Sequence, residues 1–156
     1  NNMGLDAWLR DNDGNEIIYW RKENHFHRFF CENGESTPET TEWTGPYIIS
    51  RNTIEDLLKR IDTILATKFD KPITKRFSNG YSIKADGKRT DHFIELDVEY
   101  DEEVADALLP TQSGFFFGST EYTSWYFQSL LEAKDVIENY LKNHPNENQF
   151  IYDSSW

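Results

Sequence analysis

Between Glu121 and Asn143 the residues Tyr122, Tyr126, Leu130, Ala133, Ile137, Tyr140 and Leu141 recur at helical spacing, and Pro145 closes the run. A long helix with one apolar face must lay that face on another element. A second helix is predicted from Ile54, Leu57, Leu58, Ile61, Ile64 and Leu65, ending near Lys68 ahead of Pro72. Ser50 or Asn52 can cap it, with Glu55 placed to complete a capping box with Asn52. A strand is signalled elsewhere. Ile94, Leu96, Val98 and Tyr100 alternate with Glu95, Asp97 and Glu99, the period-two pattern of a half-buried strand. The expected fold class is α+β: a single domain over residues 3–156, a small, mostly antiparallel sheet, and helices packed on one side.

The remaining segments fit this plan. Leu5–Arg10 and Glu16–Arg21 flank an Asp-Gly turn at Asp13-Gly14 and read as a hairpin, the alternative being a helix extended back to Glu16. Asn24 is expected to cap a short helix to about Glu32, with Phe26, Phe29 and Phe30 on its buried face and Asn33-Gly34 as its stop. Glu35–Gly45 reads as a surface loop and Tyr47–Ile49 as a short strand. Two turn signals, Asn79-Gly80 and Asp86-Gly87, mark Ile73–Arg89 as a hairpin or a mobile β excursion. Asp101–Leu109 is a short acidic helix stopped by Pro110, and Phe150–Tyr152 a final strand.

A chain of 156 residues can bury about 70% of its unfolded surface, so it needs neither disulfide nor metal to fold. The single cysteine, Cys31, fits a reducing compartment. No stretch has the length of a membrane span, and the first residues lack the regions of a signal peptide. Met3 is read as the natural start, with Asn1 and Asn2 as extraneous residues ahead of it. The net charge of -12 disfavours nucleic acid as a partner, although a local basic patch is compatible with it. Acidic excess keeps a protein soluble; phosphate-backbone mimicry is the rarer alternative.

Three constellations carry chemistry. In the first, Tyr19 to His27, Arg21 and Lys22 beside a helix start suit an anion, His27 titrates near neutrality, and Trp20 can stack on a base. The competing reading makes Trp20 and the Phe residues core, the cations solvated and His27 a satisfied polar group. His25 and His27 diverge by about 200° on a helix and would not chelate one metal. His27 and Cys31 form an i, i+4 pair, although a lone Cys beside Phe29 and Phe30 more often packs as a small hydrophobe.

The second is the loop Gln112–Thr120, with Phe115, Phe116 and Phe117 bracketed by Gly114 and Gly118. Ser119 or Thr120 is expected to cap the following helix, whose amides suit an anionic group. The alternative is a tight loop whose Phe residues plug the core. No Gly-Lys-Ser/Thr follows, so it is not a phosphate-binding P-loop. The third is the carboxylate run Glu95–Glu103, read as a solvated acidic face rather than a cation site. No nucleophile, metal or cofactor motif is present in the sequence.

Several strings resemble a family of small proteins of phages and bacterial prophages. They are Met-Gly-Leu-Asp at Met3 to Asp6, Tyr-Trp-Arg-Lys-x-Asn-x-x-His at Tyr19 to His27, Leu109 to Tyr122, Trp125-Tyr126, and Ser-Ser-Trp at Ser154 to Trp156. The resemblance covers the start, the helix near residue 55 and the last third, while Lys71–Leu96 departs from the pattern. It brings no activity with it. It implies a phage or prophage origin, a life in the cytoplasm of a bacterial host, and a shared pocket drawn from Arg21, Lys22, Asn24, His27, Gln112, Ser113, Ser119 and Thr120; Trp20 and Phe117 join these as candidate ligand-binding residues. The expected function is a non-enzymatic accessory protein binding a small anionic or nucleotide-like ligand, or a host protein. The alternatives are a metal-assisted hydrolase or nuclease using His27 and Arg21, and an acidic DNA mimic.

Overall fold

The computed structural model describes residues 4–156; the reading of Met3 as the natural start lies outside them. The chain runs β1 (Asp6–Asp11), β2 (Glu16–Arg21), α1 (Asn24–Asn33), β3 (Glu35–Thr41), β4 (Gly45–Ser50), α2 (Arg51–Leu65), β5 (Ile73–Ile83), β6 (Arg89–Val98), α3 (Glu102–Leu108), α4 (Ser124–Asn143) and β7 (Gln149–Ser155). Five strands form one sheet in the order β2-β1-β7-β4-β3, with every described pairing antiparallel, and β5 and β6 form a separate hairpin. The protein is a single small α+β domain.

The last strand takes the centre of the sheet. In register, Tyr152 of β7 lies between Leu9 of β1 and Tyr47 of β4, and Phe150 pairs with Ile49. All five side chains are buried, on the face that meets the helices. Phe30 of α1 stacks on Tyr152 at 4.8 Å, and Phe26 stacks on Trp20 of β2 at 4.5 Å. α4 crosses β2 and α2, and α2 lies against β4. Alternation along β7 and β4, one residue in and one out, lets a chain with few long apolar runs build a core this way.

The turn between β1 and β2 forms as expected: Asp11 Oδ1 accepts from the N–H groups of Asp13 and Asn15, and Gly14 takes φ +88°. Ser50 caps α2 through the Thr53 N–H, not Asn52. Three expectations are corrected. Glu35–Thr41 is a strand, not a loop. It pairs with β4 at the sheet edge, where mostly exposed Thr and Glu side chains and Pro38 are tolerated. Asn79-Gly80 does not turn the chain: it is a bulge inside β5, and only the Asp86-Gly87 turn reverses direction. α4 begins at Ser124, with Thr123 as its cap, so neither Ser119 nor Thr120 caps it.

Candidate functional site

Asn24 was expected to cap α1, but its side chain makes no capping bond. It points instead across the fold at the loop after α3. The Gln112 N–H donates to Asn24 Oδ1 at 2.9 Å, and Asn24 Nδ2 donates to the carbonyls of Phe117 at 3.1 Å and Ser119 at 2.9 Å. Arg28 donates to the Thr111 carbonyl, the Tyr122 hydroxyl accepts from the Thr111 N–H, and the Tyr126 hydroxyl donates to the Leu109 carbonyl. Four side chains from two helices and their approaches therefore hold residues 109–119 in a preset shape. This brings the two sequence constellations together beside two clefts, one lined by Ser119 and the other by Gln112 and Phe117, all three bonded to Asn24.

The first cleft has a volume of about 260 Å³ and is walled by Arg21, Lys22, Glu23, Ser119, Glu121 and Trp125, among others. Lys22 sits in the left-handed region at φ +56°, its N–H donating to the Leu5 carbonyl at 2.7 Å. Its stem runs between two glycines. A Cβ on Gly4 would stand 2.8 Å from Lys22 Cε, and one on Gly118 would stand 3.1 Å from Lys22 Cβ. No carboxylate among the described residues pairs with Lys22, whereas Arg21 is paired with Asp6 at 2.9 Å, which also accepts from Tyr19. Burial, helped by the nearby Glu132 carboxylate, pushes the Glu23 carboxyl up to about 7. Trp125 stands at the mouth, 61% exposed.

The second cleft, of about 280 Å³, takes His27, Gln112, Ser113 and Phe117 from the sequence-derived set and adds Trp43, Phe115 and Trp156. Trp20 lines neither of these clefts: it is 5% exposed, one ring face is taken by Phe26, and it borders a separate cleft with Tyr19, Arg21, Glu23 and Ser129. Thr120 is exposed, and its carbonyl accepts from Thr111.

His27, expected to titrate near neutrality, and its neighbour His25 are both held neutral by burial. Burial draws the His25 imidazole down to about 3 and His27 down to about 4. His27 Nδ1 meets the Tyr152 hydroxyl at 2.6 Å, and Cys31 Sγ lies 3.6 Å from its Nε2. Burial pushes the Cys31 thiol up to about 12, so the pair is not a thiolate–imidazolium couple. His25 Nε2 lies 2.8 Å from Ser129 Oγ, with Glu23 at 3.8 Å from the same nitrogen. The Ser129 hydroxyl donates its only proton to the Tyr126 carbonyl at 2.6 Å, so it accepts from His25 and has no base. A catalytic arrangement would set the carboxylate on the other ring nitrogen.

The acidic run is not single-signed. In register, Glu95 faces Arg76 and Asp97 faces Thr74, which donates to it. No group of three His, Cys, Asp or Glu side chains among the described residues is arranged to hold a metal ion. No helix among them is long and apolar enough to cross a membrane.

Glu23, Trp43 and Trp156 were missed by sequence reading. Glu23 lay inside a highlighted string but offered no signal of burial. Trp43 and Trp156 are brought together by the neighbouring strands β4 and β7, a relation that spacing along the chain does not carry. Comparisons with protein-family models, with curated proteins and with solved structures returned no match.

Proposed function

We propose that the protein is a non-enzymatic binding protein whose first cleft takes a small ligand bearing one carboxylate or phosphate group. The observation that carries this reading is Lys22: a lysine with no carboxylate partner among the described residues, its stem threaded between Gly4 and Gly118, at the rim of a preformed cleft. Charge decides the size of the anion. Arg21 shares its charge with Asp6, Glu121 adds a negative group, and Glu23 gains charge as the pH rises past 7. That balance suits a single anionic group and disfavours a polyphosphate. The exposed Trp125 ring offers a face to a planar part of the ligand.

The non-enzymatic half rests on the neutral, internally satisfied states of His25, His27, Cys31 and Ser129. The resemblance of the shared strings to phage and prophage proteins supports an accessory role in the cytoplasm of an infected bacterium.

Isothermal titration with inorganic phosphate, acetate and adenosine monophosphate tests the site. Binding that weakens with added salt, and by about tenfold in Lys22→Ala, is expected. No binding of any of the three, or equal binding by the variant, would overturn it.

A further inference from the structure

The second cleft is a different kind of site. Its walls are Trp43, Phe115, Phe117 and Trp156, its floor is His27, and Gln112 and Ser113 close one side. Among the described residues no Lys, Arg, Asp or Glu lines it, in a chain whose net charge is -12. The cleft rings that touch one another are not parallel. The Phe117 plane stands at 82° to His27 and at 86° to Trp156, with centroids 5.2 and 5.1 Å apart. Trp43 is inclined at 47° to His27. Phe117 thus stands nearly perpendicular to two of its neighbours, so rings border the cleft on more than one side. A compact, rounded group meets walls set at right angles on several sides at once.

One of these aromatics is also held at a cost. Trp43 sits at φ +61°, a conformation that a bulky side chain adopts only when its surroundings impose it. For Trp43 those surroundings are visible: its N–H donates to the Tyr47 hydroxyl at 2.9 Å, and its carbonyl accepts from Trp156 Nε1 at 3.2 Å. The two tryptophans are thereby tied to each other while remaining 38% and 53% exposed, and Phe115 is 75% exposed. Aromatic rings that serve only to fill a core are not left in water by a strained backbone.

We infer that this cleft is an aromatic cage for a small quaternary ammonium ion. The electron-rich ring faces attract a cation that sheds water easily, and the acidic protein as a whole draws cations towards it. The neutral His27 floor adds no opposing charge.

A neutral ligand of the same shape separates this from simple apolar binding. Titration calorimetry of the full chain with choline and with 3,3-dimethylbutan-1-ol, its uncharged isostere, reads the difference directly. Choline is expected to bind about tenfold or more tightly than the alcohol. Trp43→Ala should abolish the preference, and Phe115→Ala, at a largely exposed position, should weaken choline several-fold without disturbing the fold. Equal affinity for the two ligands would make the cleft an apolar pocket and overturn the inference, as would no binding of choline at millimolar concentration.

Discussion

Asn24 on α1 receives the backbone N–H of Gln112, 88 residues further along the chain, at 2.9 Å, while its amide nitrogen serves the Phe117 and Ser119 carbonyls. One N–H and two carbonyls fix which side-chain atom is oxygen and which is nitrogen. They also make Asn24, 1% exposed, the joint between the two clefts.

Asn24→Ala leaves buried backbone groups without partners and should cost about 1–3 kcal/mol in urea unfolding. Asn24→Asp should cost more at neutral pH, because a carboxylate has no proton to offer the two carbonyls and its charge is buried. Both variants should lose ligand binding at both clefts. An Asp variant as stable as the parent would contradict the assigned role.

Stability should fall as the pH drops from 6.5 to 4.5. In that range the unfolded chain protonates His25 and His27 near 6.5, while the folded chain resists to about 3 and about 4. Each histidine therefore withdraws stability as the pH falls. Glu23 acts in the opposite sense. The folded chain keeps its proton up to about 7 against an ordinary value of 4.5, so it adds stability as the pH falls through the same window. Two protons against one leave a net loss of roughly 1 kcal/mol per pH unit. Glu23→Gln removes the offset and should steepen the loss. Urea midpoints at pH 6.5, 5.5 and 4.5 for both proteins would show it, and a parent protein that gains stability on acidification would refute it.

Gly118 should not tolerate a side chain. Its φ is +89°, and a Cβ there would stand 3.1 Å from Lys22 Cβ and 3.2 Å from the Lys22 carbonyl. Gly118→Ala should cost about 1–2 kcal/mol from backbone conformation alone. It should also shift Lys22 and weaken anion binding at the first cleft while leaving choline binding at the second intact. Loss of both would mean that the whole loop had moved.

The helices and β1, β2 and β4 were legible because periodicity and turn chemistry are local. The apolar stripe from Ile54 to Leu65 and the Asp13-Gly14 turn needed no knowledge of the rest of the chain. β3 was not legible, because its strand state comes from β4 and not from its own Thr- and Glu-rich sequence. The site was half legible. Polar density picked out Arg21, Lys22, Asn24 and the 112–119 loop, and the fold does join them. It could not show that Asn24 faces the loop rather than its own helix, nor that burial would silence His25 and His27. Those are consequences of tertiary packing.

The hairpin formed by β5 and β6 should divide into an anchored half and a loose half at its bulge. Phe77, 5% exposed and in register with Ile94, belongs to the core. Phe77→Ala should therefore cost about 3–5 kcal/mol. Beyond the bulge, Tyr81 and Ile83 are 57% and 64% exposed, and a Cβ on Gly80 would meet nothing within 4 Å. Arg89 over the Tyr81 ring at 4.2 Å is an exposed contact worth about 0.5–1 kcal/mol. Tyr81→Ala should accordingly lower stability by no more than about 1 kcal/mol. Ladder hydrogen bonds without buried side chains around them open locally at little cost. Amide exchange should therefore be fast between residues 79 and 92 and slow in β1, β7 and β4. Slow exchange throughout the hairpin would mean that its outer half is covered in solution, and would direct the search for a partner to that surface.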